Sequence, residues 1–375
     1  MSPVSPQDEA YLRRALALAE KGRGKTGHNP LVGAVFVRNN QIIGEGFHQE
    51  FGGPHAEIEA MRAAGGDLRG ATLYVTLEPC CHHGKTPPCT QALIEAGIKR
   101  VVASSVDPFP EVRGRGFKQL EDEGIEVEVG ALNSLVRRQN EIFFTYHEKS
   151  RPFCIAKWAI TLDGRTSTDT GDSKWISNEL SRGYVQELRT QVDAILVGIG
   201  TVITDNPRLN IRIPGYTGPQ PTKIIVDGHL RTPSQSRCLT RENSGPVIVA
   251  ATSVASQEKI NRFREMGHSV LVCKGHKGIV DPKDMMGRLA GEGIRSLLAE
   301  GGRTVHTSLL RHRLVDKLVT FVAPKVVGGL SLRGPLEELG TLSMKDALTL
   351  HEVKIRSFGT DMCIEGYLEE PDAAH

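Results

Sequence analysis

Short apolar segments rich in Val, Ile and Leu alternate with amphipathic helical segments along most of the chain, and this alternation limits the fold more than any other feature. Examples are TLYVTLEP at 72–79, RVVASSV at 100–106 and SLLAEGG at 296–302. Such alternation predicts mainly parallel sheets that are covered by helices on both faces. A chain of 375 residues is long enough for two domains of this kind.

The alternation is interrupted once, at the polar segment 149–152, which follows a single helix predicted over residues 132–148. Because few contacts cross a linker of this kind, we place a domain boundary there. The first domain is expected to span residues 1–148, and the second residues 149–375. No internal repeat relates the two.

Composition and charge exclude several classes of protein. No apolar run approaches the ~18 residues of a membrane helix, and the N-terminus lacks a secretion signal, so we expect a cytoplasmic protein with no membrane partner. Residues 1–150 hold 17 Lys and Arg against 19 Asp and Glu, which does not favour nucleic-acid binding. The seven cysteines are an odd number, which argues against a disulfide framework.

Three cysteines, Cys80, Cys81 and Cys89, fall within ten residues, and His55 lies 25 positions before the first of them. One imidazole and two thiolates form a three-ligand shell, in which tetrahedral zinc keeps its fourth position for water. That open position is typical of catalytic zinc. We therefore predict that His55, Cys80 and Cys89 bind one zinc ion per chain.

The carboxylate of Glu57 lies two positions after His55. Residues i and i+2 do not share a helix face, so both can face one metal only if His55 stands at the non-helical start of the helix predicted over 55–64. We predict that Glu57 is the catalytic proton shuttle between water and an amine leaving group. H-x-E followed by P-C and a second Cys is the signature of zinc-dependent base deaminases.

Two other metal arrangements remain open from the residues alone. A structural zinc site would take a fourth protein ligand from Cys81, His82 or His83. Alternatively, Cys81 could replace Cys80, because adjacent residues rarely both reach one metal.

The cysteine spacing identifies a family. Eight residues separate Cys80 from Cys89, and the loop PCCHHGKTPPC resembles the signature P-C-x-H-H-G-x-T-P-P-C of the bifunctional riboflavin-biosynthesis deaminase/reductase family. The segments N-P-x-V-G-A-V at 29–35 and G-x-G-x-H at 44–48 are also similar to that family. Phe109 departs from the pattern, because the family usually has Asn there. The resemblance implies substrate contacts at Asn29, His48, His82 and Lys85, although the last two can also belong to a solvated loop.

The second half resembles the reductase half of the same family in the segments 156–165, 173–176, 200–212 and 300–302. The resemblance implies a fold similar to dihydrofolate reductase, which binds NADPH without the glycines of a Rossmann fingerprint. The implied cofactor contacts are Ala159, Trp175, Thr201, Asp205 and Gly302, and the implied substrate contacts are Lys157, Ser173, Arg189, Leu209, Arg212 and Glu300.

Physical chemistry alone says less about these positions. Arg189 and Arg212 fit a fork that clamps a sugar phosphate, because guanidinium matches phosphate in a bidentate way, although either could be an ordinary surface residue. The turn at 300–302 can present N–H groups to a phosphate, or be a plain connection between strand and helix. Trp175 could equally belong to the core.

We therefore predict an α/β chain with an N-terminal cytidine-deaminase-like three-layer domain and a C-terminal dihydrofolate-reductase-like domain. The implied reactions are zinc-dependent deamination of 2,5-diamino-6-ribosylamino-4(3H)-pyrimidinone 5′-phosphate and NADPH-dependent reduction of its ribosyl group to ribityl. We expect this small pyrimidine ribose phosphate as substrate, no nucleic-acid partner, and a homo-oligomer. Two alternatives are a nucleic-acid or nucleoside deaminase with an accessory α/β domain, and a zinc-stabilised binding module fused to a nucleotide sensor.

Overall fold

The computed structural model of the chain describes residues 5–84, 87–240, 244–330 and 333–369. It forms two compact units divided between Ser150 and Arg151, close to the predicted domain boundary. In the described residues, no helix combines the length and the apolar character needed to cross a membrane.

The first unit is a three-layer α/β/α arrangement around a sheet in the order β2-β1-β3-β4-β5. Its elements are α1 (Pro6–Ala19), β1 (Gly33–Arg38), β2 (Gln41–Phe47), α2 (Ala56–Ala64), β3 (Thr72–Leu77), α3 (Cys89–Glu95), β4 (Arg100–Ser105), α4 (Arg115–Asp122), β5 (Glu126–Val129), α5 (Asn133–Gln139) and α6 (Glu141–Lys149). β1 pairs antiparallel with β2 and β3, whereas β3, β4 and β5 are parallel. The parallel arrangement predicted for strands that alternate with helices is therefore confirmed for β3, β4 and β5.

Alternate residues of the strands pack against helices on opposite faces of this sheet. Phe36 and Leu73 pack with residues of α2, α3 and α4, while Val35 and Tyr74 pack with α1. Because side chains of a strand alternate between its faces, the central strands are apolar on both sides.

Helix α2 carries Glu57, the predicted catalytic residue, and packs directly on β2. A Cβ atom added to Gly44 would come within 2.4 Å of the Ala60 carbonyl oxygen, and one added to Gly46 within 2.3 Å of the Ala60 nitrogen. These contacts are too short for any side chain, so glycine is required at both positions for this close approach.

The single helix predicted over 132–148 is wrong, because α5 and α6 are separated at Asn140. The Asn140 side chain accepts a hydrogen bond from Leu31 N at 2.7 Å and donates one to Leu31 O at 3.0 Å. Its φ of −114° departs from helical geometry. A side chain bonded to a distant backbone segment thus interrupts a helical sequence pattern.

The second unit is built on a sheet in the order β10-β9-β8-β7-β13-β6-β14-β16-β15. Its elements are β6 (Phe153–Thr161), α7 (Glu179–Thr190), β7 (Ala194–Gly198), α8 (Ile199–Asp205), β8 (Thr222–Val226), β9 (Val247–Thr252), α9 (Gln257–Glu265), β10 (Ser269–Cys273), β11 (Gly275–His276), β12 (Ile279–Val280), α10 (Pro282–Gly291), β13 (Ser296–Gly301), α11 (Arg303–Arg311), β14 (Lys317–Ala323), β15 (His351–Phe358) and β16 (Asp361–Tyr367). Along the order β10-β9-β8-β7-β13-β6-β14 all neighbouring strands are parallel, whereas β16 is antiparallel to both of its neighbours. β11 and β12 pair antiparallel with each other in a separate two-stranded sheet.

Two parts of this unit differ from the sequence prediction. The apolar segment AILVGIG at 194–200 predicts one strand, but the strand ends at Gly198, where α8 begins without a loop. The hairpin of β15 and β16 was not predicted, since its outer strand is exposed at nearly every residue and contains no apolar run. Edge strands lack the continuous apolar pattern of strands buried on both faces.

Candidate active sites

His55, Cys80 and Cys89 come together in the first unit. Their ligand atoms all lie within 4.8 Å of one another, and His55 Nδ1 is 3.4 Å from Cys80 Sγ and 3.3 Å from Cys89 Sγ. Among the described His, Cys, Asp and Glu residues, these three form the group close enough to hold a metal. Cys81 Sγ instead points to the carbonyl oxygen of Glu111, at 3.8 Å. One imidazole and two sulfurs are a donor set that suits zinc.

Helix starts place two of the three ligands. His55 is the extended residue before α2, with φ −74° and ψ 163°, and Cys89 is the first residue of α3. The positive end of a helix favours a nearby thiolate. The predicted non-helical position of His55 is confirmed, and Pro54 immediately precedes it.

The three groups share protons. A hydrogen bond to Cys80 raises the pKa of His55 to about 9. Hydrogen bonds from Cys89 and His55 lower the pKa of Cys80 to about 4, while contact with Cys80 raises the pKa of Cys89. One thiolate thus faces one imidazolium and one thiol. Metal binding requires that His55 and Cys89 lose their protons.

Glu57 lies on the first turn of α2 beside these groups and is 3% exposed. Burial raises the pKa of its carboxyl group, and the charge of His55 opposes that shift. The Cys89 thiol donates to the carboxylate. A buried carboxylate of raised pKa next to a metal-binding group is a candidate for proton transfer near neutral pH.

Asn29 and His48 are joined to each other next to His55. Burial lowers the pKa of His48, so its ring is neutral. Nδ1 then donates to Pro54 O at 2.9 Å, and Nε2 accepts from Asn29 Nδ2 at 3.0 Å. The ring centroids of His48 and His55 are 5.6 Å apart. This arrangement fixes the amide of Asn29 so that its oxygen can accept a hydrogen bond from a ligand.

His82, which lies between the two cysteine ligands in the sequence, belongs to an aromatic cluster. Its ring lies 5.7 Å from Phe109, whose ring lies 5.2 Å from His147. His82 Nδ1 is buried and has no hydrogen-bond partner among the described residues. Lys85, the remaining predicted substrate contact of this unit, lies outside the described residues. Substrate contact by either residue stays a prediction.

Glu78 is a buried carboxylate that the sequence analysis missed. It is 3% exposed and accepts hydrogen bonds from the main-chain nitrogens of Asp107, Gly114 and Gly116 at 2.9–3.1 Å. It therefore holds the loop that carries Phe109. Glu78 could have been singled out from the sequence by its position directly after β3 and two residues before Cys80. Functional side chains commonly lie at the carboxyl ends of parallel strands.

In the second unit, Lys157, Arg189 and Glu300 form a buried ion cluster. Glu300 accepts from Arg189 Nε at 2.6 Å and Nη2 at 3.0 Å, and Lys157 Nζ lies 3.5 Å from its carboxylate. The two cations overcome burial and lower the pKa of Glu300 to about 2. Lys157 and Glu300 are neighbours because β13 pairs with β6, and Arg189 reaches Glu300 from the last turn of α7.

The predicted fork of Arg189 and Arg212 is not present as a matched pair. Three donors of Arg189 are occupied, two by Glu300 and one by Asn210 O at 2.7 Å. Arg212 is exposed and directs Nη1 toward Asn210. Leu209 is 3% exposed and packs in the core, so only its main chain is available to a substrate. Substrate contact by these residues stays a prediction.

Gly302 and Thr201 meet where β7 and β13 end side by side. A Cβ atom added to Gly301 would lie 2.9 Å from Thr201 Oγ1, and one added to Gly302 would lie 3.6 Å from it. Gly302 has φ +91° and directly precedes α11. Small residues and free helix N–H groups at the carboxyl ends of parallel strands suit the phosphates of a nucleotide cofactor.

The other predicted cofactor contacts are more dispersed. Ala159 lies on β6, three residues beyond Ala156, which pairs with Ala299 of β13. Trp175 is 64% exposed and its ring packs on Arg182, so the core alternative is wrong. Half-buried Ser173 lies two residues before this tryptophan, and half-buried Asp205 ends α8; their roles stay predictions.

Comparison with known proteins matches the two units of the chain to two different protein families. The sequence profile of the cytidine and deoxycytidylate deaminase zinc-binding region matches residues 5–105, and that of the RibD C-terminal domain matches residues 152–364. The riboflavin biosynthesis protein RibD of Actinobacillus pleuropneumoniae is 43% identical over 97% of this chain and 96% of its own length. The chain belongs to the RibD family.

Solved RibD structures agree with the fold described above. Acinetobacter baumannii RibD in its form 1 has a TM-score of 0.81 and 35% identity, covering 96% of this chain and 98% of that chain. The diaminohydroxyphosphoribosylaminopyrimidine deaminase/5-amino-6-(5-phosphoribosylamino)uracil reductase of Thermotoga maritima has a TM-score of 0.76 and 38% identity, with the same coverage.

Family membership confirms the predicted fold class and the predicted enzyme class. This RibD chain is a bifunctional deaminase and reductase of riboflavin biosynthesis, with a zinc-binding deaminase region and a reductase domain of the NADPH-using type.

Proposed function

We propose that the first unit deaminates a diamino-pyrimidinone ribose phosphate at the His55, Cys80 and Cys89 site, with Glu57 moving the proton. The observation that carries this proposal is the group of three metal-binding atoms within 4.8 Å of one another beside a carboxylate that is 3% exposed. The metal-binding group and the carboxylate are both needed for this argument, because a metal site without a nearby base is typical of structural zinc.

Each residue has a defined task in this mechanism. The two sulfurs and the imidazole hold zinc, which when bound acts as a Lewis acid on the attacking water. Glu57 takes a proton from that water and returns it to the amino group that leaves as ammonia. Asn29 accepts a hydrogen bond from the pyrimidine, and neutral His48 keeps the Asn29 amide in that orientation. Burial of Glu57 keeps bulk water from taking over its proton transfer.

The substitution Glu57→Gln tests this assignment, because it preserves side-chain volume and removes the base. We expect ammonia release to fall by roughly 10²–10⁴, the usual contribution of a general acid–base group. Zinc content and reduction of supplied deaminated intermediate should stay unchanged. Glu59→Gln is the matched control, because Glu59 lies on the same helix and pairs with Arg62 at 2.7 Å. Full ammonia release by the Glu57 variant would refute the role.

We also propose that the second unit reduces the ribosyl group of the deaminated product to ribityl. NADPH, when bound, supplies the hydride, so the protein has to bind and orient both reactants. The first turn of α8 at Thr201 and the residue Gly302 before α11 would receive the cofactor, and the Lys157 and Glu300 cluster would orient the sugar. Following ammonia and the absorbance of NADPH separately in one incubation distinguishes the two activities.

The remaining expectations concern partners and location. We propose a homo-oligomer, supported by exposed apolar side chains on and before the edge strand β15, such as Leu342, Val353 and Ile355. Sedimentation at several concentrations tests it, and a monomer throughout would contradict it.

We propose that the protein works in the cytoplasm, since Cys80 and Cys89 must stay reduced to bind metal. Cell fractionation tests this location. We propose no nucleic-acid partner, and salt-sensitive RNA binding would contradict this.

A further inference from the structure

In the second unit, the loop that follows β6 is joined to the segment that follows β14. The β6 loop spans residues 162–178, and the β14 segment spans residues 324–330. β6 and β14 pair in parallel, so both connections leave the sheet at its carboxyl edge. Gly302 follows β13 at the same edge, because β13 is also parallel to β6. The β6 loop, which carries Ser173 and Trp175, therefore begins at the edge proposed to receive the cofactor.

The carboxylate of Asp163 binds the main chain of the β14 segment. Its Oδ2 accepts hydrogen bonds from Val327 N at 3.2 Å and from Gly328 N at 2.7 Å. Its Oδ1 accepts from Thr161 Oγ1 at 2.6 Å. The hydrogen bond from Thr161 and those from the β14 segment lower the pKa of Asp163 to about 2, so this carboxylate is charged at neutral pH. A charged acceptor binds N–H groups more strongly than a neutral one.

A second set of contacts encloses Gly329. This glycine has φ +119°, and a Cβ atom added to it would lie 2.5 Å from Asp169 Oδ2 and 2.7 Å from two nitrogens of Arg165. Arg165 is 7% exposed and pairs with Asp169 at 2.6 Å, and Asp169 also accepts from Leu330 N at 2.8 Å. Glycine is therefore required at this position. We call these contacts, together with those of Asp163, the clamp.

Polar contacts, and not apolar packing, hold the β6 loop and the β14 segment together. Leu162, Val326 and Val327 are 61%, 73% and 40% exposed, so the apolar side chains next to the clamp lie outside the core. Segments with few buried apolar contacts open locally at a low cost in free energy. The position of the β6 loop therefore depends on the clamp.

The β14 segment also contacts the β6 loop at Trp175. Lys325 Nζ donates to Trp175 O at 2.5 Å, and Leu162 N donates to Lys325 O at 2.8 Å. The Trp175 ring packs on the guanidinium group of Arg182, which lies 4.5 Å from the ring centre. Because the β14 segment contacts both the start of the β6 loop and its tryptophan, displacement of this segment would also displace Trp175.

We propose that Asp163, Arg165 and Asp169 are positioning residues of the reductase reaction, an assignment that rests on the proposed function. They hold the β6 loop where Trp175 can contact the cofactor. Hydride transfer requires a short and aligned approach of the nicotinamide to the acceptor, so a displaced loop lowers the rate even when both reactants still bind. The three residues need not touch a reactant, because they act through the loop that they hold.

Hydrogen exchange of the full-length protein tests the clamp without turnover. Asp163→Asn preserves side-chain size but places an NH₂ group opposite main-chain donors. Asp172→Asn is the matched control, because Asp172 is an exposed aspartate of the β6 loop whose side chain accepts from Lys174 N, in the same loop, at 3.2 Å. We expect amide exchange at 327–330 to accelerate about tenfold in Asp163→Asn, as for loss of one charge-assisted hydrogen bond, and not in the control. Unchanged exchange in Asp163→Asn would overturn the proposal.

Single-turnover kinetics test the positioning role. The rate constant of hydride transfer is followed by NADPH absorbance, with the enzyme saturated with NADPH and supplied deaminated intermediate. We expect it to fall by about tenfold to a hundredfold in Asp163→Asn and in Gly329→Ala, whose added Cβ would displace the Arg165 and Asp169 side chains. Asp172→Asn should keep the wild-type rate constant, and ammonia release should stay unchanged in all three variants. A merely structural clamp would lower stability alone, so a wild-type rate constant in both clamp variants would overturn the proposal.

The two measurements separate the clamp from the proposed function. Failure of the unmodified enzyme to oxidise NADPH with the deaminated intermediate would contradict the reductase function, and hydrogen exchange would still show whether Asp163 holds the β14 segment. Accelerated exchange with an unchanged rate of hydride transfer would show that the contact exists and that its positioning role is wrong.

Discussion

Replacement of Glu300 by Gln removes the one negative charge from the buried cluster with Lys157 and Arg189. A carboxyl group whose pKa falls from 4.5 to about 2 on folding contributes about 3 kcal/mol of stability above pH 4.5. Both partners stay buried, with side-chain exposures of 15% for Lys157 and 8% for Arg189, so the variant also leaves two cations without a counterion. Breaking a buried pair in this way costs about 3–5 kcal/mol. We therefore expect Glu300→Gln to lower the free energy of unfolding of the second unit by about 3 kcal/mol at pH 7.

Tryptophan fluorescence during urea unfolding measures this unit by itself, because both tryptophans, Trp158 and Trp175, lie in it. A single transition cannot be assumed for a chain of two units, so a probe confined to one of them is required. Because folding lowers the pKa of Glu300, its contribution is present in full above the unfolded pKa and is lost as the pH falls through about 2. The difference between wild type and variant should therefore shrink between pH 4.5 and pH 3. Glu292→Gln, at the exposed end of α10, is the control. A loss below about 1 kcal/mol at pH 7, or a difference independent of pH, would refute this reasoning.

Two further predictions concern the first unit. Zinc affinity should rise with pH at least as far as about 9, since His55, whose pKa is about 9, and Cys89, whose pKa is raised, must both lose protons before they can bind metal. Competition with a chromophoric chelator at pH 6, 7 and 8 measures this, and a flat profile would contradict the proton sharing. Glu78→Gln should destabilise the loop at 107–117 by about 3 kcal/mol, because its amide NH₂ would face main-chain donors. Hydrogen exchange across that loop should accelerate while zinc stays bound, and unchanged protection would argue against the holding role of Glu78.

Most of the local structure could be predicted because it depends on neighbouring residues. The alternation of strands and helices follows from apolar periodicity. The start of α1 was predictable because the side chains of Ser5 and Asp8 cap each other's main-chain nitrogens across three residues. The predictions that were wrong depend on distant partners, as at Asn140, which binds Leu31 across 109 positions and breaks a helix.

The sequence by itself determined the metal-binding chemistry of this protein. Residue type and spacing predict a zinc site made of His55 and two cysteines, because few side chains bind zinc. The structure decides between the adjacent cysteines, since Cys80 joins the site and Cys81 points to the Glu111 carbonyl oxygen. Glu57 follows from the same motif.

Only the tertiary structure decided which charges are neutralised. Glu300 lies on β13 and binds Arg189, in the last turn of α7, across 111 positions. That choice gives Arg189 its carboxylate partner. Strand order is set by packing of the whole sheet, and the partner of a buried charge is therefore a property of the fold and not of the local sequence.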